Sequence, residues 1–239
     1  MDHPMTAPKN DNLAILIDAD NAQASPIHEL LEEVSRYGTA SVKRAYGDWS
    51  TPQLKKWKDE LHTHAIKPVQ QFSYTKGKNA TDSALIIDAM DLLHTGDLNG
   101  FCLVSSDSDF TPLATRIRES GLVVYGFGER KTPQPFVAAC DKFIYTDILK
   151  PPKTKDASKK PSFPSPRKKL VEAVDKAAGD DGWANLGTVG SMLVKDGSFF
   201  DSRNYGFRKL IELVNKQSYL DVRKEKLASG GSTISVRLK

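Results

Sequence analysis

Aspartates fall in three short segments of this sequence where a carboxylate can do chemistry: Asp18 and Asp20 in ILIDADN (Ile15 to Asn21), Asp82 in NATD (Asn79 to Asp82), and Asp107 and Asp109 in LVSSDSDF (Leu103 to Phe110). In the first and last segments an apolar run stops abruptly and is followed by two acids one residue apart. A buried parallel strand reads this way when it delivers side chains to the carboxyl edge of its sheet, where open α/β folds place their ligand sites. Unit charges 4 Å apart interact by about 4 kcal/mol at an effective dielectric near 20. Three or four carboxylates drawn to one edge therefore repel each other unless they are protonated or bound to a cation. Mg²⁺ or Mn²⁺, which accepts a few carboxylates and keeps several waters, is the expected neutraliser. Such an ion can activate water and stabilise the leaving oxygen of a phosphodiester. Asp18, Asp82, Asp107 and Asp109 are the candidate catalytic residues and metal ligands. Asn21 can orient a carboxylate or a water, Ser105 and Ser106 can hold ligands or phosphate by hydrogen bonds, and Asp20, beside Asp18, is a second-tier candidate. Any one of these aspartates suits a turn or a helix cap. Four of them at strand and helix ends are harder to explain that way.

The elements that must position these acids alternate along the first 150 residues. Strands are predicted at Leu13–Ile17, Thr39–Ala45, Ile66–Phe72, Phe101–Val104, Leu122–Phe127 and Phe143–Tyr145. Between them run helices: one begun by Ser25-Pro26, then 52–64, 80–95, one through Leu113 and Ile117 to Gly121, and a short one at 135–140. This alternation argues for an α/β fold with a doubly wound, mostly parallel sheet of Rossmann-like form. The first and fourth strands are commonly neighbours at its switch point, which draws Asp18 toward Asp107. In the helix over 80–95, Leu85, Ile86, Ala89, Met90, Leu92 and Leu93 make a broad apolar face. Ala84, Asp88, Asp91 and Thr95 fall on the opposite stripe, so Asp88 and Asp91 are expected in solvent.

Residues 151–166, PPKTKDASKKPSFPSP, read as an extended linker between domain 1–150 and domain 167–239. The second domain shows three helical stripes and then a hairpin around Ser229-Gly230-Gly231-Ser232, the pattern of a small winged helix. Residues 1–150 carry 16 basic against 20 acidic side chains, net −4, and residues 151–239 carry 18 against 10, net +8. An acidic metal-using part joined to a basic part suggests a polyanion as partner. Lys195, Arg203, Arg208 and Lys209 are available for phosphates, and Tyr205 or Trp183 for stacking. As apolar aromatics, Trp183 and Phe207 also suit the domain core. In the first domain Lys76, Lys78, Arg116 and Arg130 are candidates to guide a backbone to the acids. No stretch reaches the length of a membrane span, and Met1 to Asn12 lacks the apolar core of a signal peptide. Cys102 and Cys140 read as buried, reduced thiols, and the histidines do not fall at zinc-ligand spacings with cysteine. The expected setting is soluble and cytoplasmic.

The ordered set ILIDADN, YGDW (Tyr46 to Trp49), KGKNATD (Lys76 to Asp82) and LVSSDSDF resembles the NYN domains of the LabA/DUF88 group, relatives of PIN-like nucleases, over about residues 11 to 148. The resemblance implies a PIN-like fold, metal-dependent ribonuclease chemistry, and catalytic acids at Asp18, Asp82, Asp107 and Asp109. Many relatives place the loop acid directly after a KGVD-like turn, whereas here Asn79, Ala80 and Thr81 intervene. GWANLGTVGSML (Gly182 to Leu193) and FFDSRNYGFRKLIELV (Phe199 to Val214) resemble the OST-HTH/LOTUS domain over about residues 165 to 239, which implies RNA binding, or a protein partner or homodimer formed through this domain. The combined expectation is a Mg²⁺- or Mn²⁺-dependent ribonuclease with an RNA-selecting module. Two alternatives are a catalytically silent RNA-binding adaptor and a phosphatase of the haloacid-dehalogenase kind that uses Asp18 as nucleophile.

Overall fold

Six parallel strands form the sheet of the first unit: β1 (Asn12–Asp18), β2 (Thr39–Gly47), β3 (Lys67–Gln70), β4 (Gly100–Val104), β5 (Val123–Gly128) and β6 (Lys142–Tyr145), in the order β3-β2-β1-β4-β5-β6. This computed structural model describes residues 11–72, 80–149, 164–195, 200–226 and 232–239. The chain divides into two units, 1–150 and 151–239.

The helices are α1 (Ile27–Val34), α2 (Trp57–Thr63), α3 (Ala80–Thr95), α4 (Thr111–Glu119) and α5 (Gln134–Ala139). Side chains alternate across a strand, so β1 serves two cores. Leu13, Ile15 and Ile17 join Leu30 and Val34 of α1 and Trp57 and Leu61 of α2 in one cluster. Ala14, Leu16 and Asp18 point to the other face, where α3 packs on β1 and β2 and α4 packs on β4 and β5. That second face is closed by Phe110, Phe136, Phe143 and Tyr145, whose successive ring centroids are 6.4, 5.9 and 5.2 Å apart. Strand β1 is buried from Leu13 to Asp18, as a central parallel strand should be. Cys102 and Cys140 are buried free thiols, and burial pushes Cys140 up to about 12, far from a reactive thiolate.

The second unit holds α6 (Arg167–Ala177), β7 (Ala184–Asn185), α7 (Leu186–Lys195), α8 (Leu210–Asn215), β8 (Leu220–Lys226) and β9 (Ser232–Leu238). Its antiparallel sheet has the order β7-β9-β8. The two-residue β7 has no periodic signal of its own, and pairing of Ala184 with Val236 makes it a strand. Leu170, Val174, Val189, Leu193, Leu213, Val214 and Val236 form the core. Gly206, at φ +84°, closes the 3₁₀ turn Ser202–Tyr205 in a left-handed conformation natural to glycine. Among the described residues no helix is long and apolar enough to cross a membrane.

Candidate metal centre

The strand order reverses between β1 and β4, and the candidate acids gather at the carboxyl ends of those two strands. Parallel pairing sets Ile17 beside Val104, so the next residues, Asp18 and Ser105, emerge together. Ser105 is buried; its hydroxyl donates to Asp18 Oδ2 at 2.7 Å and accepts from the Asp107 backbone N–H at 3.1 Å. The Asn21 side-chain amide donates to Asp18 Oδ2 at 3.0 Å, and its backbone N–H donates to Oδ1 at 3.3 Å. Asp18 is thus fully buried with donors on both oxygens. Burial still holds its carboxyl above the usual range, opposed by the hydrogen bonds from Ser105 and Asn21.

After β4 the chain turns sharply. Asp107 Oδ1 accepts from the Asp109 backbone N–H at 2.9 Å and caps the 3₁₀ turn Ser108–Phe110, which leads directly into α4. Across the gap, α3 begins at Ala80 and carries Asp82 in its first turn. Asp82, Asp107 and Asp109 each offer a carboxylate oxygen, and these oxygens lie within 4.8 Å of one another. Asp18 lies outside this group of three but close enough for its charge to act on Asp82. Burial pushes the Asp82 carboxyl up to about 6, and the charges of Asp18, Asp107, Asp109 and Asp20 add to it, in that order.

A raised carboxyl pKa means that the cation-free native state holds a proton that the unfolded chain has released. Its contribution to stability therefore falls as pH rises from about 4, the unfolded value, to about 6, and stays lost above that. Asp82→Asn is expected to stabilise the cation-free protein at pH 7.5 by about 1–3 kcal/mol, and to do so much less at pH 4.5. Chemical denaturation at the two pH values in the presence of chelator measures this.

The remaining candidates divide. Asp20 is exposed and braces the rim: its Oδ2 accepts from the Thr81 hydroxyl at 2.8 Å, and its Oδ1 from the Asp48 backbone N–H at 3.4 Å. It thereby ties β2 to the first turn of α3. Ser106 faces the β5 side, where its hydroxyl accepts from the Glu129 backbone N–H at 2.8 Å. Arg130 pairs with Asp147 at 3.5 Å. Arg116 is exposed in the last turn of α4, away from the end that carries Thr111 beside the acids. Lys76 and Lys78 lie outside the described residues. In the second unit Lys195, Arg208 and Lys209 are exposed. Arg203 is engaged by Asp201 at 2.6 Å, and the half-buried Tyr205 ring packs 5.4 Å from Phe200.

Three expectations need correction. Asp88 does not face solvent: it receives Arg44 as an ion pair and the Tyr46 hydroxyl as a hydrogen-bond donor, because α3 turns this residue toward β2, while Asp91 is exposed as expected. Trp183 is not in the core cluster, which does take Phe207 at its margin; instead the Arg223 and Arg237 guanidiniums lie 4.3 and 4.7 Å from the centroid of its half-buried ring. The phosphatase alternative fails on Asp18, whose buried, hydrogen-bonded carboxylate presents no face to a phosphoryl group. Thr81, which fixes Asp20, escaped sequence reasoning, since a threonine in a helix's first turn carries no signal of its own.

In comparisons with known proteins, residues 12–149 match the NYN domain and residues 161–230 the OST-HTH/LOTUS domain. No curated protein matches the chain. Among solved structures, a protein of unknown function from Vibrio parahaemolyticus aligns with a TM-score of 0.50 at 20% identity, covering 59% of this chain and 96% of its own, a likeness of fold. An uncharacterized protein from Nitrosomonas europaea aligns at 30% identity over 38% of this chain and 88% of its own, with a TM-score of 0.32.

Proposed function

Because this chain belongs to the NYN domain family and carries an OST-HTH/LOTUS domain behind it, we propose that it is a divalent-cation-dependent ribonuclease whose second domain holds the RNA it cleaves. The observation that carries this reading is the convergence of Asp82, Asp107 and Asp109 within 4.8 Å at the switch point of the sheet. The donor set fits the cation: three carboxylates, with no histidine or thiolate among them, are hard oxygen ligands of the kind Mg²⁺ and Mn²⁺ take. When bound, such an ion supplies Lewis-acid stabilisation of the phosphodiester oxygens and a water of lowered pKa.

The chain's own residues hold the geometry. Asp107 reaches the site from a turn that its own carboxylate caps, so its position is set before any ligand arrives. Asp82 is fixed through the Thr81–Asp20 bond, which ties the first turn of α3 to the β1 and β2 rim. Asp18 is the buried base of the site. Through Ser105 it is linked to the Asp107 backbone, and its charge raises the cost of leaving the three acids without a cation. On the second unit the exposed Lys195, Arg208 and Lys209 supply phosphate contacts. Joining this basic module to the acidic domain raises the local concentration of RNA at the acids.

The test is cleavage of single-stranded and structured RNA by the full chain with Mg²⁺, with Mn²⁺ and with chelator. Cleavage is expected with either ion and is lost on chelation. RNA binding without cleavage under both ions would sink the proposal in favour of an adaptor.

A further inference from the structure

A cleft of about 570 Å³ opens beside two of the three acids, lined by Asp82, Ser83 and Ile86 of α3, Ser108 and Asp109 of the 3₁₀ turn, Thr111 and Pro112 of α4, and Pro135 of α5. Its size lies within the range of about 300–1,000 Å³ usual for small-molecule sites. Its lining is uneven. Ile86, Pro112 and Pro135 form an apolar wall, while Ser108 and Thr111 line the end nearest the acids.

Those two hydroxyls have no hydrogen-bond partner among the described residues. The Thr111 oxygen is shielded from solvent and unbonded, which makes it a polar group carrying an uncompensated desolvation cost. Threonine in a helix divides between two rotamers. A turn about the Cα–Cβ bond that exchanged methyl and hydroxyl would bring the oxygen toward the cleft that Thr111 lines, where a ligand could make the hydrogen bond the protein leaves unmade.

The charge of the cleft decides what kind of ligand this is. Among the described residues it is lined by two carboxylates and no lysine or arginine, and these carboxylates repel a phosphate. Neutral groups, a flat apolar surface and a pair of hydroxyls suit it. A nucleoside offers both: a base with an apolar face, and a ribose with hydroxyls that donate and accept.

We propose that this cleft is a nucleoside subsite, in which Ile86, Pro112 and Pro135 pack on the face of one unpaired base while Ser108 and Thr111 hydrogen-bond the ribose hydroxyls, so that RNA is taken in preference to DNA. The proposal rests on the ribonuclease reading, with the phosphate left to the cation-binding carboxylates. The apolar wall of Ile86, Pro112 and Pro135 packs on a base face without reading its edge, so the subsite selects the sugar and a single-stranded conformation.

Two measurements on the full chain test this. The first needs no cleavage: saturation-transfer NMR with adenosine and with 2′-deoxyadenosine. The unmodified protein is expected to bind adenosine about five- to tenfold more tightly, the size of one hydrogen bond. Thr111→Val, which keeps the shape and removes the oxygen, erases the difference, and Thr111→Ser restores it. The second is cleavage of an oligoribonucleotide carrying one 2′-deoxy nucleotide at each position in turn. One position is expected to slow cleavage by about the same factor in the unmodified protein and not in Thr111→Val. Equal binding of the two nucleosides by the unmodified protein, or an undiminished ribose preference in Thr111→Val, overturns the subsite. Loss of all RNA cleavage with nucleoside discrimination intact would instead strike the ribonuclease reading.

Discussion

Asp107→Asn is expected to lower RNA cleavage by about a thousandfold and to abolish the rise in melting temperature that the proposed function expects Mg²⁺ or Mn²⁺ to produce in the unmodified protein. The substitution isolates charge from shape. An asparagine oxygen can still accept from the Asp109 backbone N–H, so the 3₁₀ turn Ser108–Phe110 and the start of α4 stay in place. The variant loses one of the three negative charges that make the centre attractive to a divalent cation. A bound metal ion contributes several kcal/mol of transition-state stabilisation, and about 4 kcal/mol corresponds to the factor named. The equilibrium readout is independent of chemistry. A cation present at a hundred times its dissociation constant stabilises the native state by about 2.7 kcal/mol, and a variant that cannot bind it shows none of that shift. Asp91→Asn, an exposed acid of the same formal charge on the outer face of α3, serves as control and is expected to leave both measurements unchanged. Unaltered cleavage in Asp107→Asn would remove the proposed centre.

Asp107 and Asp109 of the proposed centre were legible in the sequence because parallel strands write their ends plainly. A run such as Phe101–Val104 is apolar on both faces, and the polar residues that follow it must lie at the carboxyl edge. Strand order at the switch point then brings Asp18 and Asp107 to the same place without knowledge of any side-chain contact. What the pattern could not give was the division of labour. Asp18 and Asp107 both follow apolar strands. Asp18, however, is the last residue of β1 and meets Ser105 and Asn21, whereas Asp107 lies three residues beyond β4 and faces outward. That difference depends on register between strands far apart in sequence. Trp183 shows a similar limit, since its ring is covered by arginines of β8 and β9 some 40 to 54 positions later in the chain.

Helix α3 exposes the same limit more sharply, and Asp88 carries the second large effect. Apolar residues run almost all the way round this helix, so the 3.6-residue period does not fix which side meets the sheet. The partners on β2 fix it. Tyr46 is fully buried, and its hydroxyl donates to Asp88; burial, together with that carboxylate, pushes the phenol up, so it remains protonated as a donor. Arg44 completes the cluster. One consequence is that Ile87 is turned outward, at 63% exposure. Asp88→Ala is expected to cost about 2–4 kcal/mol, because it strands a buried hydroxyl and a partly buried guanidinium together. At roughly 2–4 °C per kcal/mol for a domain of this size, the melting temperature of the first unit falls by about 5–15 °C in calorimetry. The double variant Arg44→Met with Asp88→Leu is expected to recover the part of that loss due to the unpaired guanidinium, since an apolar pair removes both charges at once, and to leave the part due to the Tyr46 hydroxyl. The loss should also couple with Tyr46→Phe: removing the hydroxyl first makes Asp88→Ala less costly, by about 0.5–3 kcal/mol in a double-mutant cycle. A change in stability below about 0.5 kcal/mol for Asp88→Ala would be that of an ordinary surface substitution, and would mean that the helix is held by its apolar contacts alone. In that case the placement of Asp82 at its first turn would owe nothing to β2 beyond the Thr81–Asp20–Asp48 chain of bonds.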